Sequence, residues 1–129
     1  MLRSGIEILT RFVEDYSELD CDGATRLIQV ALTDSKVQHR LMQGYVEQVS
    51  TSEILQPHFW VVVGKFIIDY KLQKWMGKDA PHGVFLPREH EDFEYAGTEF
   101  QASLETSRLL YQVVTGQPAM PMFIVQGAE

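Results

Sequence analysis

Two short apolar runs joined by a glycine constrain the fold of this chain more than any other feature. The runs are Phe59-Trp-Val-Val-Val63 and Phe66-Ile-Ile68, and only Gly64-Lys65 separates them. β-Branched and aromatic residues favour strands, and a two-residue connection that contains glycine is typical of a hairpin. The sequence therefore predicts a pair of antiparallel strands at this position.

Hydrophobic spacing predicts helices on both sides of this hairpin. Apolar residues recur at helical intervals over about residues 5–17 and over residues 21–33, where Asp20 is suited to cap the helix N-terminus. The second helix is the more apolar of the two, so we expect it to be central and buried. A third helix is predicted over residues 103–114, with Gly116 ending it.

The remaining strands are predicted from shorter or less regular patterns. They cover residues 37–49 with a bend at Gly44, residues 84–86, and residues 122–125 after two prolines. Residues 88–94 are highly charged and are predicted as a solvated loop. The expected fold class is α+β, with N-terminal helices packed on a small antiparallel sheet in a single domain of residues 1–129.

Composition limits the partners and the compartment. The 129 residues carry a net charge of −7, which disfavours binding to nucleic acid and to anionic membrane surfaces. One cysteine cannot form an internal disulfide, and no signal peptide or membrane-spanning run is recognised, so a cytoplasmic protein is expected. Export as an effector by a route without a signal peptide is the alternative. The four histidines lack the spacing of a zinc site, and neither a metal nor another cofactor is expected.

The hairpin register places a histidine and a carboxylate together. If the strands turn at Gly64-Lys65, Trp60 faces Asp69, and residues two apart on one strand share a face of the sheet. His58 and Asp69 are then diagonal neighbours, close enough for an imidazole to contact a carboxylate. A shift of one residue would move the carboxylate to the opposite face.

Cys21 adds a thiol at the predicted start of the second helix. The free N–H groups and partial positive charge there favour a thiolate, and the same N–H groups can hold an oxyanion. In this arrangement Cys21 is the nucleophile, His58 is its base and then the acid for the leaving group, and Asp69 fixes the imidazole tautomer.

These residues carry a resemblance to a known superfamily. The segment Leu19-Asp-Cys-Asp-Gly23 resembles the Asp-Cys-Ser-Gly opening of NlpC/P60 cell-wall peptidases. His58-Phe-Trp60, followed by Asp69, resembles the His-x-Trp…Asp strands of transglutaminase-like and arylamine acetyltransferase-like enzymes. All belong to the papain-like thiol superfamily, so the resemblance implies a papain-like core over about residues 15–86, which the C-terminal helix and strand complete.

The predicted function is therefore a thiol-dependent amide hydrolase or acyl transferase that acts on a protein or peptide. Peptide cleavage, glutamine deamidation and acyl transfer to an amine stay open, as do the second oxyanion donor and the oligomeric state. Trp60 shares the face of the histidine and aspartate and is a candidate for substrate binding, with core packing as the alternative. Trp75 is a second substrate-binding candidate, in a loop expected to border the cleft.

Two rival interpretations remain at the level of sequence. The same fold can serve as a non-catalytic protein-binding or effector module whose acidic surface meets a basic partner. A purely structural subunit that pairs through its C-terminal Met/Phe strand is the third interpretation. A dispensable Cys21 would favour the binding module, and self-association would favour the structural subunit.

Overall fold

The computed structural model describes residues 2–117, which form a mixed α+β structure. The helices are α1 (Arg3–Thr10), α2 (Cys21–Asp34), α3 (Gln73–Met76) and α4 (Leu104–Thr115), with 3₁₀ turns at Arg11–Asp15 and Pro87–Glu89. The strands are β1 (Arg40–Gln48), β2 (Glu53–Val63), β3 (Phe66–Asp69), β4 (Gly83–Phe85) and β5 (Phe93–Phe100). Within these residues the strands make one antiparallel sheet in the order β4-β3-β2-β1-β5, which confirms the α+β class.

The hairpin of β2 and β3 has the predicted register. Val61 lies opposite Ile68 and Val63 lies opposite Phe66, with Gly64 at a φ of 57° in the turn. Both faces of this hairpin are covered: one packs against α2, and the other carries the cluster of Trp60, Ile67 and Phe85. Burial on both faces explains why these strands read as continuous apolar runs rather than as an alternating pattern.

Helix α2 is central and buried, as predicted. The Asp20 side chain accepts a hydrogen bond from the Gly23 N–H at 2.7 Å and so caps the first turn. Leu27 and Leu32 are fully buried against the face of the sheet that includes Val61. A Cβ at position 23 would lie 2.8 Å from the Leu19 side chain, so a glycine lets this turn pack closely.

The first helix differs from its prediction over residues 5–17. It starts earlier, and its α-helical part ends at Thr10, after which the chain continues as the 3₁₀ turn to Asp15. The Thr10 hydroxyl donates to the Ile6 carbonyl at 2.8 Å and also lies 2.9 Å from the Tyr70 hydroxyl. Bonding of this kind back to the preceding turn is associated with bent helices. None of the helices within residues 2–117 combines the length and the apolar character needed to cross a bilayer.

Two strand predictions need correction. The second strand begins at Glu53 instead of Phe59; its first half is mostly exposed, and its two adjacent apolar residues, Ile54 and Leu55, are followed by Pro57, which obscures the strand pattern. Residues 88–94 do not form only a loop: a 3₁₀ turn ends at Glu89 and β5 begins at Phe93. β5 is an edge strand whose residues are mostly exposed, so sequence patterning missed it. The strand predicted over residues 122–125 lies outside the described residues.

The sheet curls so strongly that side chains of its two edge strands touch. Phe85 on β4 and Tyr95 on β5 have ring centroids 5.8 Å apart, although three strands lie between them in the sheet order. In a flat sheet, four strand spacings of about 4.8 Å would hold these edges about 19 Å apart. The face opposite α2 is therefore concave, and side chains from distant strands meet inside it.

Two glycines lie opposite each other where β1 pairs with β5. Gly44 pairs with Gly97 on β5 and with His58 on β2, and the β1–β2 register shifts between Gly44 and Val46. A Cβ on Gly44 would lie 2.0 Å from the Ala96 carbonyl oxygen, a distance that no side chain tolerates. The predicted bend at Gly44 thus corresponds to a β-irregularity, a feature that increases local strand twist.

Candidate functional site

His58 and Asp69 meet on the concave face of the sheet. The Nε2 atom of His58 lies 2.6 Å from Oδ2 of Asp69, and both side chains are almost completely buried. His58 lies on β2 before the segment that pairs with β3, and Asp69 is the last residue of β3. The diagonal contact predicted from the hairpin register is therefore confirmed.

Within residues 2–117, all the hydrogen-bond partners of the Asp69 carboxylate are donors. Its Oδ1 accepts the backbone N–H groups of Lys71 at 2.9 Å and Leu72 at 3.2 Å. Its Oδ2 accepts the Tyr95 hydroxyl at 2.8 Å in addition to the His58 imidazole. A buried carboxylate is costly unless it is hydrogen-bonded, so these four donors stabilise the charge and fix the plane of the group.

The surroundings of Asp69 determine which ring nitrogen of His58 carries a proton. An ionised carboxylate can only accept hydrogen bonds, so Nε2 of His58 must be the donor. In the neutral imidazole this leaves a lone pair on Nδ1. Nδ1 is buried and has no hydrogen-bond partner within residues 2–117. It is the one ring position available to a further reacting group.

Cys21, which lies outside the hairpin, contributes to the raised pKa of the His58 ring. It begins α2, is partly exposed to solvent, and is close enough to His58 for its hydrogen bonding and charge to affect the ring. We call Cys21, His58 and Asp69 the candidate triad: His58 and Asp69 are hydrogen-bonded, and Cys21 joins them through its effect on the ring, with no hydrogen bond between its sulfur and the imidazole within residues 2–117. Asp22, the next residue after the thiol, has its charge balanced by Arg26 one helical turn later, at 3.0 Å.

The pKa of His58 is strongly perturbed by these neighbours. Burial by itself lowers the pKa, because a charged ring loses its hydration. The hydrogen bond to Asp69, the smaller influence of the nearby Cys21 thiol and the charges of both residues together outweigh burial and raise the pKa from 6.5 to about 9. The imidazole is therefore protonated at neutral pH, and in that state both ring nitrogens are donors.

Tyr95 is the site residue that sequence reasoning missed. It belongs to β5, which was not predicted as a strand, and it lies in the sequence far from the hairpin. Burial, the charge of Asp69 and its hydrogen bond raise the pKa of Tyr95 well above 10, so the phenol stays neutral and donates. The alternation of Phe93 and Tyr95 is the one strand signal that was present there.

The two tryptophans occupy different environments. Trp60 is only 3% exposed, stacks on His58 with ring centroids 6.0 Å apart, and meets the Tyr95 ring edge to face at 5.0 Å. This burial leaves Trp60 almost no surface for a substrate, and its contacts shield the His58–Asp69 pair from water. Trp75 on α3 is 61% exposed beside Lys74, so its role in substrate binding stays a prediction.

Within residues 2–117, no group of three histidine, cysteine or carboxylate side chains is arranged to hold a metal ion. In comparisons with known proteins, no family model, curated protein or solved structure matches this chain.

Proposed function

We propose that this protein is a thiol enzyme of the papain-like superfamily, which cleaves or exchanges amide bonds through a thioester on Cys21. One observation carries the proposal. A partly exposed thiol at a helix start acts on a buried imidazole, and the other nitrogen of that imidazole is fixed by a fully hydrogen-bonded carboxylate. Purely structural packing does not require a thiol, an imidazole and a carboxylate in this arrangement. An α-helix packed on an antiparallel sheet is also the core that the superfamily shares.

The proposed resting state is a thiolate next to an imidazolium. Asp69 holds the Nε2 proton of His58, and the raised pKa of the ring keeps a second proton on Nδ1 at neutral pH. A positive ring beside Cys21 favours the thiolate, and the N-terminus of α2 favours it further. The thiolate is the nucleophilic form of cysteine.

The start of α2 offers donors for the oxyanion. Asp20 already uses the Gly23 N–H through its side chain and the Ala24 N–H through its carbonyl. The first N–H groups of a helix have no partner inside the helix, which leaves those of Cys21 and Asp22 for a ligand. A carbonyl oxygen under attack by the sulfur would lie within reach of the Cys21 N–H.

The chemical steps then use only these residues. The Cys21 sulfur forms a bond to the amide carbon, and the carbonyl electrons move to the oxygen. When the oxyanion collapses, the C–N bond breaks, and His58 gives its Nδ1 proton to the leaving nitrogen. His58 then takes a proton from water or from an acceptor amine, which attacks the thioester. The C–S bond breaks, and the acid or the new amide leaves.

A cavity of about 380 Å³ is lined by residues that neighbour the candidate triad in sequence, although none of the three triad side chains lines it, and it is the proposed place for a substrate to bind. Ser17, in the turn before Cys21, lines it on one side, and Tyr70 and Lys71, directly after Asp69, line it on the other. The Lys71 ammonium donates to the Tyr16 carbonyl at 3.0 Å, which ties the two segments together. A protein or peptide that presents a carboxamide or a peptide bond is the proposed substrate.

Alkylation of Cys21 by iodoacetamide tests the activation of the thiol directly, because the chain has one cysteine. At pH 6 we expect the folded protein to react at least about tenfold faster than the same protein in urea, where the thiol has an ordinary pKa near 8.5. His58→Gln should remove this advantage, whereas His39→Gln, a histidine outside the triad, should keep it. Equal reactivity of the folded and unfolded chains would rule out the proposed activation.

The acceptor is identified by a second measurement on peptides that contain glutamine. Ammonia release without chain cleavage indicates deamidation, incorporation of an added primary amine indicates acyl transfer, and new termini indicate peptidase activity. Cys21→Ala is the control in each assay, because it removes the sulfur and leaves the contacts of Asp69 in place. Activity that survives this substitution would contradict a thioester mechanism.

A further inference from the structure

The opposite end of α2 carries a cluster of positive charges, which is unexpected in a chain with a net charge of −7. Two cavities of about 710 and 640 Å³ lie there and share lining residues from Lys36 to Gln38 and at Gly64. Five basic residues line one or both of them, and we call this set the basic patch: Lys36, His39, Arg40, Lys65 and Arg88. Among residues 2–117, no carboxylate lines either cavity.

Within residues 2–117, the charged side chains of the basic patch form no internal ion pairs. Lys36, Arg40, Lys65 and Arg88 are exposed, and their side chains make no ion pair or hydrogen bond within residues 2–117. His39 makes one hydrogen bond, with the Val37 carbonyl at 2.8 Å. The patch therefore keeps nearly all of its charge available to an external ligand.

The acidic residues next to the basic patch in sequence already have partners. Asp34, near the end of α2, pairs with Arg108 at 2.6 Å. Glu89 pairs with Arg3 at 2.9 Å, and that arginine also lies over the Phe66 ring at 5.3 Å. These pairs occupy the nearby carboxylates with other arginines, so an anion that enters the cavities does not have to displace an internal one.

The fold assembles the patch from three separate segments. Lys36 and Arg40 belong to the connection from α2 into β1, Lys65 lies at the turn of the β2–β3 hairpin, and Arg88 lies in the 3₁₀ turn after β4. Its distance from the candidate triad follows from the length of α2, whose residues Cys21–Asp34 span about 20 Å. The patch is thus a second region of the molecule and does not depend on the proposed chemistry.

We propose that the basic patch binds an acidic segment of another protein. Four lysine and arginine cations, with no lining carboxylate among residues 2–117, provide the charge complementarity. The charges are spread along two joined cavities instead of converging on one point, which suits an extended chain better than a single small anion. Between them lie the partly buried apolar side chains of Val37, Phe66 and Leu86, which can contact apolar residues of that segment.

The test uses a fluorescein-labelled peptide of Glu-Glu-Val repeats and measures fluorescence anisotropy at low and physiological salt. Saturable binding is expected, and Lys36→Gln/Lys65→Gln should weaken it about tenfold, because two charged contacts are lost. Arg11→Gln/Lys78→Gln is the matched control: both residues are exposed, and the double substitution makes the same change in net charge. The control should bind within about twofold of the unmodified protein.

Three outcomes would overturn the proposal. The first is the absence of saturable binding at low salt. The second is an equal loss of affinity in both double variants, which would mean that overall charge, and not the basic patch, attracts the peptide. The third is displacement of the labelled peptide by tripolyphosphate or by a single-stranded oligonucleotide at lower concentration than by the unlabelled peptide, because the patch would then be a phosphate site.

Discussion

At one end of α2 the charged groups are buried and bonded to one another, whereas at the other end they are exposed and unpaired. His58 and Asp69 are almost completely buried, and the carboxylate accepts four hydrogen bonds. Lys36 and Lys65 in the basic patch are exposed and make no internal ion pair. The contrast separates two uses of charge: fixed geometry and perturbed protonation at the triad, and availability to a partner at the patch.

The pH dependence of stability is the largest expected difference between the two ends. The pKa of His58 is raised from 6.5 to about 9, so between these values the folded state holds a proton that the unfolded state has lost. The contribution is full below about pH 6.5 and disappears as the pH rises through 9, and a shift of this size corresponds to about 3 kcal/mol. Urea unfolding at pH 6, 7.5 and 9 measures it.

His58→Gln is the comparison for that measurement, and both proteins carry Cys21→Ala, because the proposed thiolate releases a proton that the unfolded chain keeps and would offset the proton held by His58. Cys21→Ala should lose stability more steeply than Cys21→Ala/His58→Gln as the pH rises, since Asp69 raises the pKa of His58 more than Cys21 does. Parallel pH profiles for these two variants would show that the ring is not held charged.

Removal of one donor to the carboxylate should have a smaller effect. Tyr95→Phe deletes the hydroxyl that donates to Asp69 at 2.8 Å, and a hydrogen bond to a buried charge contributes about 1.5–3 kcal/mol. We expect the free energy of unfolding to fall by about 2 kcal/mol. Tyr45→Phe is the control, because the Tyr45 hydroxyl makes no hydrogen bond within residues 2–117 and the side chain is exposed. A loss of equal size in both variants would mean that the Tyr95 hydroxyl contributes little.

At the basic patch, substitution should hardly change stability. Lys36→Gln/Lys65→Gln removes two exposed charges that have no internal partner, so the free energy of unfolding should change by less than about 0.5 kcal/mol. The same double variant should lose affinity for the acidic peptide, which would separate a binding role from a folding role. A destabilisation of more than about 1 kcal/mol, measured by urea unfolding at neutral pH, would show that the patch takes part in folding.

The parts of the fold that sequence could predict are those with strong local signals. The hairpin at Gly64 and the helix that begins after Asp20 depend on turn chemistry, capping and apolar runs; the helix has nearly the predicted bounds and the hairpin has the predicted register, although β2 begins earlier than predicted. The contact between His58 and Asp69 was predicted from the hairpin alone, because alternate residues of a strand share one face of the sheet.

The parts that sequence could not predict depend on tertiary structure. Tyr95 reaches Asp69 because the sheet curls, and no pattern inside β5 reports that curvature. The basic patch combines residues from three distant segments, each of which looks like an ordinary charged turn by itself. Exposed edge strands such as β5 also lack the apolar alternation on which strand prediction depends.

The Asp69 carboxylate contacts both the imidazole of the candidate triad and the backbone of the following loop. One of its oxygens orients the imidazole, and the other receives the amides of Lys71 and Leu72, which start the segment leading to Trp75. Deleting this group would disturb both the proposed catalysis and the neighbouring loop, so an inactive variant at this position would not separate the two. For capturing a bound substrate on an intact scaffold, the sulfur of Cys21 is the atom to remove.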